Sequence, residues 1–240
     1  LICAILLLSS TTACGSSSEA APTPIKVAVL APFSGDFNPL GQSTRNGVII
    51  AVEEWNQRGG VLGRPIELVL GDTYCDAEKA EDVSDEMANQ GIRFIIGAVC
   101  SDASLAIAQV ASQRGVLQIS PATTVADLTL NEAGVVRPWV FRACFTDASQ
   151  GAAMAKFALE QLNAQRAGIL HEEESSYGAS LADAFEDKLV ADDGEVLARG
   201  TYNRESRDEI PEALIEMRDA RPEVLYLPGY YNYASEMLLQ

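Results

Sequence analysis

Histidine is almost absent from this 240-residue chain, with His171 as its sole representative. A lone histidine at the end of a strand pattern is more often structural than catalytic, and it gives little material for a histidine-based metal site. The chain also lacks a G-x-S-x-G elbow, a G-x-x-x-x-G-K-[ST] loop, a G-x-G-x-x-G turn and a C-x-x-C pair. Hydrolysis, phosphoryl transfer, dinucleotide chemistry and dithiol exchange are therefore without their usual starting parts. The acids Glu172, Glu173 and Glu174 read as a solvated loop, not a metal centre. An enzyme is not expected, and no cofactor is implied.

Basic residues are scarce, 17 Lys+Arg against 34 Asp+Glu, for a net charge of −17. Such a surface repels nucleic acid and anionic lipid, which need a basic stripe. Long apolar runs are missing too. Leu1 to Leu8 is far shorter than the roughly 20 residues of a membrane-spanning helix, and it fits a signal-peptide core. Thr12 and Ala13 before Cys14 match a bacterial lipobox, with Thr11 where a Leu is usual. Cys14 is then the lipidated first residue of an exported protein, tethered by the polar spacer Gly15 to Pro24. Ordinary cleavage between Ala13 and Ala21, with Cys14 discarded, is the alternative. The missing initiator Met and basic n-region lead to the expectation that the sequence begins inside the leader.

Beyond Cys3 and Cys14 remain Cys75, Cys100 and Cys144. In an oxidising compartment Cys75 and Cys100 can close a 25-residue loop, worth about 3 kcal/mol in the chain-entropy model. Two buried free thiols are the alternative, which the leader disfavours. Cys144 reads as a small buried hydrophobe.

From Ile25 onward short apolar runs alternate with helical periodicity. Ile25–Ala31, Ile66–Gly71, Phe94–Ala98, Val116–Ile119 and Val140–Ala143 read as strands. Helices fall at Val48, Ala51, Val52 and Trp55, over Ala77–Gln90, and over Asp102–Arg114. The rhythm restarts with a Met154, Phe157, Ala158 and Leu162 stripe. Strands Ala167–His171, Val196–Tyr202 and Glu223–Leu227 then alternate with two further helical stripes. This is an α/β chain with parallel sheets wrapped on both faces. Three segments are expected: leader, lipobox and tether over 1–24, a first α/β lobe over 25–143, and an unfinished second lobe over 144–240.

Ligands of open parallel sheets sit beyond the carboxyl ends of the strands. Those loops hold Ser101, the Ser120-Pro121-Ala122-Thr123-Thr124 segment, Ser175-Ser176-Tyr177 and Gly229-Tyr230-Tyr231. Ser101, before a helix, either caps it or, with free N–H groups and the positive dipole end, meets a carboxylate. Thr124 is equally readable as an ordinary loop hydroxyl, and Tyr177 and Tyr230 as packing.

The segments IKVAVLAPFSGDFNPLGQSTRNGVIIAVEEWNQRGGVLGRPIELVLGDTYCDAEKA, IIGAVCSDASLAIAQV, LQISPATTVADLT, HEEESSYGASLADAF and VLYLPGYYNYASEML resemble, in order, those of Leu/Ile/Val-binding proteins. These are type I periplasmic binding proteins, with two Rossmann-like lobes, and the resemblance runs from about Ile25 to Gln240. It implies a substrate-binding protein of an ABC transporter that captures an amino acid or related small carboxylate. It also implies permease subunits as partners, a monomer, and a site in the periplasm or on the outer membrane face. A Cys75–Cys100 disulfide follows from it. So do a ligand carboxylate held by Ser101 and Thr124, an ammonium met by the Ala122 carbonyl, and cover from Tyr177 and Tyr230. Leu40 stands where many relatives carry an aromatic, and Pro228 where the G-G-Y loop has its first Gly. The family's acidic ammonium partner lies beyond the G-G-Y segment, past Gln240. Amide or urea binding, and a ligand-sensing receptor domain of the same fold, are the alternative functions.

Overall fold

The computed structural model describes residues 22–131, 133–203 and 209–239. The leader and Cys14 lie outside them. Two parallel sheets alternate with helices, in the chain order that the sequence pattern predicts.

The first sheet is built from β1 (Ile25–Ala31), β2 (Ile66–Asp72), β3 (Phe94–Gly97), β4 (Leu117–Ser120) and β5 (Val140–Arg142), in the order β2-β1-β3-β4-β5. Three helices connect them: α1 (Asn38–Gln57), α2 (Ala77–Asn89) and α3 (Ser101–Arg114). Local chemistry sets their ends. The Asp76 carboxylate accepts from the Lys79 N–H at 2.8 Å to start α2, and Gly115 takes the left-handed conformation that ends α3. The second sheet has β6 (Arg166–Glu172), β7 (Glu195–Tyr202) and β8 (Val224–Tyr226), in the order β7-β6-β8. Around it lie α4 (Asp147–Lys156), which runs on into a π turn at Phe157–Gln161, then α5 (Ser176–Ala191), α6 (Ile210–Ala220) and α7 (Tyr231–Met237). No described helix is long and apolar enough to cross a membrane.

The first sheet carries helices on both faces, as expected, though unevenly. The β1→β2 step runs one way along the sheet, whereas β2→β3 and β3→β4 run the other. Right-handed crossovers therefore place α1 on one face and both α2 and α3 on the opposite one. The β4→β5 step brings only a 3₁₀ turn, Ala126–Leu128. On the face of α1 an apolar groove of about 280 Å³ stays open, lined by Val27, Ile96, Ile119 and Phe94 among others. One expectation needs correction, that for α4. Its buried residues are Gly151 and Ala155, continued by Ala158, while Met154, Phe157 and Leu162 are exposed. Small residues face inward because α4 lies directly against α5. A Cβ on Gly151 would sit 2.6 Å from the Ala184 Cβ and from the Phe185 nitrogen. In α1, likewise, Val48 is buried but Trp55 is exposed.

Cys75 and Cys100 are joined by a disulfide with Cα atoms 5.4 Å apart, across 25 residues. It ties the turn before α2 to the turn before α3, and both cysteines are buried in the first core. Replacing both by Ala is expected to cost about 3 kcal/mol, read as a lower urea midpoint at unchanged slope. A midpoint equal to that of the parent would mean the native loops hold without the bridge.

Candidate functional site

Both sheets end at a shared cleft. Its cavity, about 330 Å³, is lined by Leu40, Val99, Ser101, Ala122, Thr124, Tyr177, Gly229, Tyr230 and Tyr231. All six residues that the sequence singled out for ligand contact thus meet around one cavity. Leu40 comes from α1, Ser101 from the start of α3, and Ala122 and Thr124 from the loop after β4. Tyr177 comes from α5 and Tyr230 from the loop after β8. The volume is at the lower end of the range for small-ligand sites, about 300–1,000 Å³.

One wall of the cavity depends on a buried hydroxyl network. Gly97 has φ +142°, and a Cβ there would lie 2.0 Å from the Leu30 carbonyl oxygen. This close approach turns the chain so that the Ala98 carbonyl points inward. Ser104 Oγ donates to that carbonyl at 3.1 Å and Ser120 Oγ at 2.8 Å. Thr123 Oγ1 lies 2.6 Å from Ser104 Oγ and donates to it, while the Thr123 N–H donates to Ser120 Oγ at 3.0 Å. Every one of these side chains is buried. The β3–α3 turn, which carries Ser101, is thereby fixed to the loop that carries Thr124.

Ser101 is the first residue of α3, and Cys100 occupies the cap position without any side-chain cap bond. The capping role open to Ser101 from sequence is therefore not the one it has. The α3 N-terminus reaches the cavity without a side-chain cap, and Ser101 itself is 2% exposed. Thr124 is buried and its Oγ1 has no hydrogen-bond partner. The Thr124 carbonyl accepts from the Asp147 N–H at 3.1 Å. Arg142 braces the same loop, donating to the carbonyls of Thr123, Val125 and Ala126.

From the second sheet, Ser175 caps α5 by accepting from the Gly178 N–H at 3.2 Å, which sets Tyr177 on the first turn. The Tyr177 ring lies 5.2 Å from that of Tyr230, and Tyr230 meets Phe37 edge-on at 4.8 Å. Burial raises the Tyr177 phenol above its ordinary range, aided by the negative charge of Asp147 and opposed by Gln150. Asp102 bridges the lobes, its carboxylate accepting from the Ser176 N–H at 3.4 Å and from the Ser176 hydroxyl.

Elsewhere the structure sorts the remaining residues. His171 is buried, with Nδ1 2.9 Å from the Glu172 carbonyl and Nε2 3.4 Å from Arg199, and it does not line the cavity. Glu172 is buried as well, contrary to the solvated loop expected for all three acids, because it closes β6. Glu173 and Glu174 are exposed. No metal-binding cluster occurs among the described residues. Cys144 donates to the Thr123 carbonyl at 3.2 Å, and burial pushes its thiol up. Sequence reasoning overlooked Asp147, whose signal was its place just after β5 at another strand end.

A profile of the periplasmic binding protein family matches residues 24–235. The chain belongs to that family. It is 29% identical over 234 residues to the Leu/Ile/Val-binding protein of Escherichia coli (strain K12), covering 98% of this chain and 62% of that protein. Among solved structures, the leucine-binding protein LivK of Thermotoga maritima superposes with a TM-score of 0.79 at 33% identity, covering 87% of this chain and 57% of that one. LivJ from Streptococcus pneumoniae, solved in complex with isoleucine, gives a TM-score of 0.79 at 28% identity, covering 90% and 60%. The chain therefore spans about three-fifths of the length of these relatives.

The hydroxyl network makes a direct prediction. Ser120→Ala removes a donor to Ala98 and an acceptor for Thr123, both buried, and is expected to cost about 2 kcal/mol. Chemical denaturation measures it, and a loss below about 0.5 kcal/mol would mean that the loop is held by other contacts.

Proposed function

We propose that this periplasmic binding protein is the extracytoplasmic solute receptor of an ABC transporter, closing its two lobes around an amino acid or related small carboxylate. The observation that carries the reading is convergence. Residues from five separate segments, drawn from both sheets, line one cavity of small-ligand size. The α3 N-terminus supplies N–H groups and the positive end of the helix dipole, which suit a carboxylate. Ser101 and Thr124 add polar contacts at that wall, and Ala122 offers its backbone. Tyr177 and Tyr230 cover the solute from the second lobe, and Leu40 shapes the apolar side. The relatives named for leucine, isoleucine and valine support a branched-chain side chain in that space.

The mechanism is hinge closure. The solute docks on the first lobe and the second lobe then folds over it, which presents both lobes to permease subunits. Export follows from membership of a periplasmic family, and Cys14 would add a lipid anchor through the 15–24 tether. The receptor is taken to act as a monomer.

Ser101→Ala combined with Thr124→Ala is expected to weaken L-leucine binding by about 3 kcal/mol, roughly a hundredfold, since hydrogen bonds to a charged group contribute about 1.5–3 kcal/mol each. Isothermal titration calorimetry measures it, and an unchanged dissociation constant sinks the assignment of this wall to the carboxylate.

A further inference from the structure

A second cavity lies at the opposite end of the first sheet, where the strands begin. It measures about 430 Å³, and its lining includes Thr23, Pro24, Lys26, Arg64, Arg93 and Phe94. Three cations and no acid line it, in a chain with 34 acidic against 17 basic residues. The strand register explains the gathering. Ile25 pairs with Ile66 and Ala28 with Ile95, so the entries to β2, β1 and β3, which carry Arg64, Lys26 and Arg93, stand side by side. Their charge is only partly neutralised. Arg64 donates Nε–H to the Thr23 carbonyl at 2.7 Å and Nη2–H to the Pro24 carbonyl at 3.2 Å, which ties the incoming chain to the cavity and brings no counter-charge. Lys26 has Glu67 at 4.0 Å, both half-exposed, and such surface pairs contribute little. The Arg93 side chain is exposed, with neither ion pair nor hydrogen bond among the described residues.

Beside these cations is an apolar side chain that the fold does not use. The turn Val61–Arg64 is closed by the Val61 N–H on the Arg64 carbonyl at 2.9 Å and the Arg64 N–H on the Val61 carbonyl at 3.0 Å. Leu62 stands within it, 94% exposed and at φ +52°. A left-handed conformation disfavours leucine, and in water its exposure gains nothing. Phe94, on the cavity wall, is 43% exposed as well. Cations next to exposed apolar side chains suit a surface that meets lipid phosphates and sets its apolar residues among the head groups. The net charge of −17 opposes contact between an anionic bilayer and most of the molecule, which leaves this pole as the one that can approach. We propose that the pole is a membrane-contact site, with Lys26, Arg64 and Arg93 on the phosphates of anionic lipid and Leu62 inserted beside them. Lipid is favoured over a soluble anion by the place where the chain enters. Cys14 stands nine residues before Thr23, so an acyl group on it holds the cavity within about 30 Å of the bilayer, a step that rests on the Cys14 anchor proposed above. The cleft lies beyond the carboxyl ends of the same sheet, so contact at this pole leaves it open to solute.

Vesicle flotation of the full chain tests the site, comparing mixed phosphatidylglycerol–phosphatidylcholine with pure phosphatidylcholine at low salt. The charged vesicles are expected to carry at least about fivefold more protein, a difference that high salt removes. Lys26→Gln with Arg93→Gln should abolish the preference, Arg93→Lys should keep it, and Leu62→Ser should lower recovery on charged vesicles. Apolar attraction through Leu1 to Leu8 acts on both vesicles alike, so the ratio is what is read. Equal recovery from the two vesicles, or a ratio unmoved by the double substitution, overturns the proposal. So does full displacement at matched ionic strength, whether by glycerol 3-phosphate, which would make this a site for a free anion, or by polyglutamate, which would make it one for an acidic protein segment. Palmitate labelling separates the anchor from the pole. Preference without label upholds the pole and overturns the anchor, whereas label without preference overturns this proposal alone.

Discussion

The Ala98 carbonyl is the point on which the cleft depends. A backbone carbonyl has two lone pairs, and here both are taken by buried hydroxyls, Ser104 from α3 and Ser120 from the end of β4. Thr123 closes the circuit through its own hydroxyl and N–H. Gln118, also buried, adds an amide that donates to the Gly97 and Ser104 carbonyls at 3.0 and 3.2 Å. Charge plays no part, so the network is insensitive to pH and salt. Its strength comes from the cost of leaving any member unpaired in a dry interior. Two loops from different strands are thereby held as one rigid wall. A site that must present several polar groups at once needs such rigidity more than it needs any single contact.

Much of this architecture could be read in the chain before any coordinates. Strands that are buried on both sides announce themselves as runs such as Ile25–Ala31. Five of the six candidate contacts lie in loops at strand ends, where open sheets keep their ligands, a rule of topology that needs no contact map; Leu40 was named only through the family resemblance. The failures have one common physical origin. Periodicity tells which residues of a helix share a face, not which face meets a partner. Met154, Phe157 and Leu162 share a face, but the close approach at Gly151 gave the buried side of α4 to glycine and alanine. Asp147 escaped notice for a related reason. An acid in the first turn of a helix has an ordinary role toward the dipole, and only three-dimensional packing reveals that this one is buried beside the cavity wall.

The disulfide and the hydroxyl network divide the work along the first lobe. The Cys75–Cys100 disulfide anchors one end of the β3–α3 turn while Gly97 and Ala98 fix the other, so the residues between them have little freedom left. Ser101 follows immediately, and its position is therefore set from both directions. Preorganisation of this kind lowers the entropy lost on binding and raises affinity without any added contact. It also accounts for the asymmetry of the cleft, whose first wall is clamped by covalent and buried polar links. The second wall, formed by Tyr177 and Tyr230, rests on a helix cap and ring contacts.

That asymmetry bears on how closure, as proposed, can be governed by the solute. Contacts that span the lobes include Asp102 with Ser176, Asn232 with the Asp36 carbonyl at 3.4 Å, Phe37 with Tyr230, the Asp147 N–H with the Thr124 carbonyl, and the Cys144 thiol with the Thr123 carbonyl. An aromatic pair contributes about 0.5–1.5 kcal/mol beyond its buried area, and each hydrogen bond about as much, less where water competes. Shifting an equilibrium from 1:99 to 99:1 takes about 5.5 kcal/mol of differential affinity. A solute that touches both walls can supply that, since its contacts with Tyr177 and Tyr230 exist only when the cleft is shut. Stronger direct contacts between the lobes would close the cleft empty and remove the dependence on solute. Capture by closure therefore requires that the lobes' contacts with each other stay weaker than the contacts the solute makes with both, and a rigid first wall helps the solute to make its share.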